Sequence, residues 1–281
     1  MEKIIISTDS TSDLAPQTFE ERSIRVLDLS VILGSDMYKA SEVNPQMIFD
    51  FVNQTGTLPK TSATSEMEYG EYFEELLKET ETVIHFNISS QCSVTHNNAK
   101  KAAAAFNGKV KVIDSYHLST GQGLLVLLAC DLRDEGKSAE EIVETIENTK
   151  NNVQTSFVVD TMEYLKKGGR CSSVAAIAAN VLKIHPSIFM KDGKLGVRKK
   201  YMGSLKRCIS SYVDDLAEEY PDYVDTRVFI THSCCTDEIV EHIKQKVQEK
   251  FAFNEICVTV AGPVITSHCG QGTLGVLFIK K

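Results

Sequence analysis

The sequence predicts an α/β protein of two α/β domains, the first built on a mainly parallel sheet flanked by helices. Three observations predict this. Apolar, β-rich runs alternate with helical patterns, as at Val83–Ile88, 97–106, Val110–Ile113 and 119–134, and such alternation favours a parallel sheet covered on both faces. Two capping boxes, Ser65-Glu66-Met67-Glu68 and Ser138-Ala139-Glu140-Glu141, mark helix starts. The length of 281 residues suits about two domains of roughly 100–200 residues each. The polar stretch Lys150-Asn151-Asn152 marks the boundary, giving units 1–150 and 151–281.

Taken in order, residues 3–8 read as a strand, followed by the turn-like Asp9-Ser10-Thr11-Ser12-Asp13. A helix runs from Ser65 to about Lys78, then the strand 83–88 and an alanine-rich helix ended by Asn107-Gly108. Strand 110–113 leads through Asp114-Ser115 to a long apolar helix that stops near Gly136, and a further helix reaches about Lys150. In the second half, 156–159 reads as a strand and 161–166 as a short helix ended by Gly168-Gly169. The stretch 174–182 is almost wholly apolar and helical. Asp192-Gly193, between two apolar runs, is a hairpin signal. Helices at about 204–220 and 236–251 alternate with strands at 227–231, 256–261 and 274–279, so this half is also α/β.

A net charge of −8, with 30 basic against 38 acidic residues, argues against nucleic-acid binding, which depends on neutralising phosphates. The opening apolar run is too short for a signal peptide, and nothing approaches the ~20 apolar residues of a membrane span. The expectation is a cytoplasmic protein with at most transient membrane contact. The eight cysteines contain no C-x-x-C pair. Neither a metal site nor a cofactor is expected, and the thiols read as small buried apolar groups.

Chemistry concentrates in three hydroxyl-rich clusters: residues 61–65 (TSATS), 89–96 (SSQCSVTH) and 266–272 (TSHCGQG). The second and third follow strand-like runs, and the first two lead into helical patterns. A strand feeding such a loop and then a helix start leaves N–H groups unpaired, which favours a bound carboxylate or phosphate. Simple helix capping by Ser and Thr is the alternative for any one cluster. A histidine near glycines in the third tilts the set toward a shared anion site.

In order, these motifs resemble the DegV family of bacterial fatty-acid-binding proteins over essentially the whole chain. Asp9-Ser10-Thr11-Ser12-Asp13-Leu14 resembles DS-x-x-DL, residues 61–65 resemble TSxPS, and Ser93-Val94-Thr95 resembles LSGTY. Asp114-Ser115 through Gly123 resembles DS-x-x-x-S-x-G-x-G, residues 165–170 resemble L-x-x-GGR, and Gly262-Pro263 to Gly272 resembles GP…HxGPG. The resemblance implies one long-chain fatty acid in the cleft between two α/β domains, presented to a separate fatty acid kinase that makes the acyl phosphate. It implies a carboxylate held by Thr61, Ser93 and His268, with Ser62 as a further candidate. It places Arg170 at the site entrance or on the partner-facing surface, although Arg170 also suits capping of the preceding helix. The chain departs from the pattern at Thr64 and Gln271, where the motifs have proline. Cys92, Val94 and His96 stand for the Leu, Gly and Tyr of LSGTY. A β-branched Val94 suits φ > 0 poorly, which leaves the path of the Ser93 loop open.

Ser and Thr hydroxyls suit such a head group because they donate without permanent charge. Histidine adds a donor whose charge varies near neutral pH. The tail needs apolar lining, for which Val174, Ala175, Ile177, Ala178, Val181, Ile188 and Phe189 are candidates, with plain core packing as the alternative. Two enzymatic readings compete. A serine hydrolase would use Ser93, His96 and Asp114 or His268, but no G-x-S-x-G elbow is present. A phosphotransferase would use the Asp9-Ser10 and Asp114-Ser115 loops, but no G-x-x-x-x-G-K-[ST] loop is present. The preferred reading is a carrier with no catalysis of its own.

Overall fold

The computed structural model describes residues 3–171 and 183–281. Within them the strands are β1 (Ile4–Asp9), β2 (Arg25–Leu27), β3 (Ser30–Leu33), β4 (Asp36–Lys39), β5 (Lys60–Ser62), β6 (Thr82–Asn87) and β7 (Val110–Asp114). They continue as β8 (Val153–Gln154), β9 (Ser156–Val158), β10 (Ile184–Lys191), β11 (Lys194–Met202), β12 (Arg227–His232), β13 (Glu255–Val260) and β14 (Leu274–Ile279). The helices are α1 (Pro16–Glu21), α2 (Pro45–Thr55), α3 (Glu66–Leu76), α4 (Thr95–Ala103) and α5 (Thr120–Asp134). Then come α6 (Ala139–Thr149), α7 (Glu163–Gly168), α8 (Leu205–Glu219), α9 (Asp237–Lys250) and α10 (Pro263–Cys269).

The first sheet has the order β2-β1-β6-β7, and every pair in it is parallel. Its apolar residues alternate between two cores, as period-two strands require. Ile4, Ile6, Ile84 and Phe86 pack against α5 and α6, while Ile5 and Val83 pack against α3 and α4. Both anticipated capping boxes form, with Ser65 and Glu68 bonded reciprocally at α3 and Ser138 and Glu141 at α6. Such boxes satisfy helix N–H groups without help from the rest of the fold.

The second sheet runs β11-β10-β9-β14-β12-β13, with β8 beside β14. It is mostly antiparallel, only β12 and β13 pairing in parallel among the described strands. The Asp192-Gly193 hairpin joins β10 to β11, with φ +50° and +76° at its two turn residues. Two positive φ values are what a tight type I′ connection needs. Helices α8 and α9 cover this sheet through Ile209, Tyr212, Val213, Ile243 and Val247. A third, antiparallel sheet, β4-β3-β5, had no counterpart in the sequence reading. The first hydroxyl cluster lies partly on β5. The third cluster, read as following a strand, lies partly on a helix: Thr266, Ser267 and His268 belong to α10.

Asp9, at the carboxyl end of β1, is fully buried. Its Oδ1 accepts from the Thr11 amide and hydroxyl and from Gln122 Nε2 at 3.0, 2.5 and 3.1 Å. Its Oδ2 accepts from Asn87 Nδ2 and the Ile88 amide at 3.1 and 2.9 Å. One side chain thus fixes the β1 turn, the end of β6 and the start of α5. Asp9→Ala strands several buried donors and is expected to cost at least ~3 kcal/mol of stability, since each such group costs about 1–3 kcal/mol. Urea unfolding measures it, and a loss under ~1 kcal/mol would show that water replaces the carboxyl.

Candidate functional site

Thr61, Ser62, Ser93, His268 and Arg170 all line one cavity of about 550 Å³. Residues from before and after position 150 therefore meet in it. Its apolar wall includes Leu29, Ile88, Leu118, Leu165, Leu195 and Ile265. Thr61 is carried on β5, where it pairs with Val31 of β3. His268 comes from α10, which packs over β3 and β5. The two side chains meet directly, Thr61 Oγ1 and His268 Nε2 being 2.8 Å apart.

The Ser93 loop works differently from the sequence expectation. The amides of residues 89–93 are engaged within the fold. Those of Ser89 and Ser90 donate to His117 O and Asp114 Oδ1. That of Gln91 donates to Ser89 Oγ, and those of Cys92 and Ser93 donate to Ser89 O. The Thr95 amide donates to Ser93 Oγ at 3.3 Å. The side chains of Thr61, Ser62 and Ser93 border the cavity beside this loop. Val94 has φ −77°, so the residue at the family's glycine position is unstrained. Thr64 at the proline position is buried and its hydroxyl donates to Asp28 O.

His268 is pushed down to about 4 by burial first and by the Arg170 charge second. It is therefore neutral at physiological pH, not variably charged there as expected from histidine in general. Its Nδ1 has no hydrogen-bond partner among the described residues. A methyl group at Gly168 would stand 2.7 Å from that nitrogen, so glycine allows the end of α7 to close over the ring. Arg170 is exposed, and its guanidinium donates to Gly168 O at 2.6 Å, which sets a positive charge at the rim. Cys92 and Cys269 also line the cavity. Burial raises both thiols, Cys92 to about 11, so they are protonated wall groups.

The carboxylates named for the enzymatic readings are engaged by other donors. No hydrogen bond joins Ser93 to His96 or His268 among the described residues. Asp114 Oδ1 accepts from the Ser90 and Tyr116 amides, both at 3.1 Å. Asp9 is occupied by the five donors already described.

Of the expected tail residues, Val174, Ala175, Ile177, Ala178 and Val181 lie outside the described residues. Ile188 and Phe189 are described and do not border this cavity. Ile188 is fully buried in the core behind it, with Leu118, Leu165 and Ile265. Phe189 lies against Gly196 across the hairpin. Sequence reasoning missed Asn98, which lines the cavity and donates from Nδ2 to Thr64 O at 2.8 Å. Its place one turn into α4, after the Ser93 loop, was an available signal. Leu29, Leu118 and Leu195 carried none, because only the tertiary fold brings them to one wall.

Burial also holds His85 at about 3 and His117 at about 4. Unfolded, these two and His268 take up protons near 6.5; folded, they do so only near 3–4. Each thus contributes stability above 6.5 that is lost as pH falls through its folded value. Asp13 acts oppositely. Burial lifts it from 3.8 to about 7, so its contribution is present below 3.8 and lost as pH rises through 7. Three groups outweigh one, and the thermal midpoint is expected to rise between about pH 4.5 and 6.5. A flat or falling midpoint over that window would contradict the burial assigned to these histidines.

The sequence profile of the DegV family, described as uncharacterised protein of that family, matches residues 3–281. A DegV domain-containing protein of Clostridium perfringens is 31% identical, covering 99% of this chain and 98% of that protein. One from Clostridium acetobutylicum is 32% identical with full coverage of both chains. Among solved structures, a fatty-acid-binding DegV family protein of Thermus thermophilus superposes with a TM-score of 0.89 at 29% identity. It covers 99% of this chain and 100% of that one. DegV of Bacillus subtilis, a fatty acid binding protein, gives 0.87 at 27% identity with full coverage of both. With its parallel sheet, its helices and the ordered motifs all in place, the chain belongs to the DegV family.

Proposed function

We propose that the protein binds one long-chain fatty acid in the cavity between an N-terminal unit, residues 1–150, and a C-terminal unit, residues 151–281. Thr61, Ser62, Ser93 and His268 hold its carboxylate, and the protein presents it in the cytoplasm to a separate fatty acid kinase. The observation that carries this is the gathering of those side chains, with Arg170 at the rim, into one apolar-walled cavity. Its volume of about 550 Å³ falls within the ~300–1,000 Å³ usual for small-molecule sites. Solved relatives described as fatty-acid-binding share the fold across the chain. The unit boundary is supported by the sheets, since the parallel one ends at Asp114 and the larger one begins at Val153.

The tail supplies affinity and the head supplies orientation. At ≈0.8 kcal/mol per buried CH₂, a sixteen-carbon chain gains roughly 10 kcal/mol, against roughly 1.5–3 kcal/mol for each hydrogen bond to the charged carboxylate. Neutral hydroxyls and a neutral imidazole hold a carboxylate without the tight pairing of a buried arginine. That leaves its oxygen available to a kinase.

Ser93→Ala is expected to lose a hydrogen bond to a charged group, roughly 1.5–3 kcal/mol or about 10- to 150-fold in affinity. Displacement of a fluorescent fatty acid measures it. Unchanged affinity at unchanged thermal stability would remove Ser93 from the site, and native mass spectrometry showing no co-purified fatty acid would count against the whole reading. Arg170, exposed at the rim, serves delivery more than loading. Arg170→Ala is expected to keep loading nearly intact and to lower acyl phosphate formation by an added kinase, while the loaded protein with ATP and magnesium alone yields none. Collapse of loading in Arg170→Ala, or product without the kinase, would refute that assignment.

A further inference from the structure

Helix α10 belongs by sequence to the second half of the chain but is tied at both ends to the first. At its carboxyl end the tie is the Thr61–His268 contact of 2.8 Å. At its start the tie is Asp13, whose Oδ1 accepts the Gly262 amide at 2.9 Å. Gly262 is the residue that opens the helix, followed by Pro263 in its first turn. The other carboxyl oxygen, Oδ2, accepts the Ser119 hydroxyl at 2.5 Å. Asp13 is buried and left-handed at φ +50°, and Ser119 also has a positive φ, +53°, with ψ −145°. Two non-glycine residues with positive φ on either side of one hydrogen bond mark a place where the surrounding structure imposes the geometry. The approach is close: a methyl group at Gly262 would come within 2.9 Å of Asp13 Oδ1.

Between these two ties α10 presents Val264, Ile265, His268 and Cys269 to the cavity. Val264 also packs with Leu29, just ahead of β3, and with Val31 of β3. The helix is short, so a shift at Gly262 carries directly to His268 six residues later, about 9 Å along the axis at 1.5 Å per residue. We propose that Asp13 is a positioning residue for the binding site: by holding the start of α10 it sets where His268 meets Thr61 and where the carboxylate donors converge. The ligand part of this inference rests on the fatty acid reading, whereas the placement of His268 does not.

Asp13 faces Asp9 and Cys269, the Ser119 hydroxyl and the Gly262 amide. Burial lifts its carboxyl to about 7 against the pull of those two donors. A neutral side chain of the same shape therefore fits this place. Asparagine keeps an acceptor for the Gly262 amide, and its NH₂ can donate to Ser119 Oγ.

The test compares wild type with Asp13→Ala and Asp13→Asn by two readouts. One is oleate affinity; the other is the imidazole NMR signal of His268 in histidine-labelled protein, assigned with His268→Gln. Asp13→Ala is expected to shift the His268 signal and to weaken oleate binding roughly tenfold or more. Asp13→Asn is expected to restore the signal and to bring affinity within about threefold of wild type, less than a typical lost hydrogen bond. A His268 signal unmoved in Asp13→Ala, whatever the affinity, overturns the proposal, and so does failure of asparagine to restore it. If Asp13→Ala does not fold, Gly262→Ala takes its place: a displaced His268 signal supports the proposal and an unmoved one overturns it. If wild type binds no oleate, the fatty acid reading fails, and the imidazole signal still decides the role of Asp13.

Discussion

The buried carboxyl of Asp9 organises the carboxyl end of the parallel sheet. A buried carboxyl is costly unless its oxygens are well supplied with donors. Here the donors come from the turn after β1, from Asn87 and Ile88 at the end of β6, and from Gln122 on α5. Satisfying that one group fixes three segments at once. The network runs on through Asn87 to the Tyr69 hydroxyl and from there to Thr95 at the start of α4. The Ser93 loop is thus anchored at both ends, at Ile88 and at Thr95, by groups that never touch the cavity. Ligands in open α/β sheets bind at this carboxyl end, and the buried polar network explains how a loop there keeps one shape.

From that frame the second half of the chain reaches back. Ser89 on the loop donates to Gly193 O at the hairpin tip, at 2.7 Å. Helix α10 lies across β3 and β5 and brings His268 to Thr61. The cavity is therefore a product of contacts between residues as far as 207 positions apart. The electrostatics follow from the same burial. Enclosure drives His268 to its neutral form, and Arg170 at the rim reinforces it. Thr61, Ser62, Ser93 and a neutral His268 thus share the cavity with Arg170, the one cation among its described lining residues.

Local signals were legible and long-range ones were not. The Ser65 and Ser138 capping boxes, the Asp192-Gly193 turn and the β1, β6 and β7 runs were readable because each is specified by neighbouring residues. The sheet of β3, β4 and β5 was not. Its strands are three or four residues long, too short to show a period, and β5 pairs with β3 across about thirty positions. The helix carrying the third hydroxyl cluster was not assigned, although Gly262-Pro263 ahead of it signals a helix start. Ile188 was read as cavity lining because its apolar character cannot distinguish core from wall.

The sequence by itself determined the alternating α/β elements, the helix starts, the hairpin and the motif order that singles out Thr61, Ser62, Ser93, Arg170 and His268. Those depend on propensity, capping and motif order, all of which act within a few residues. Only the tertiary structure decided that Thr61 and His268 touch, that Asn98 and Leu29 share their cavity, and that His268 is neutral. It also decided that the amides of residues 89–93 are engaged where open ones were expected. Each of these depends on what lies opposite a side chain after distant segments pack, and on how much water that packing removes. Neither quantity is written in the order of residues along the chain.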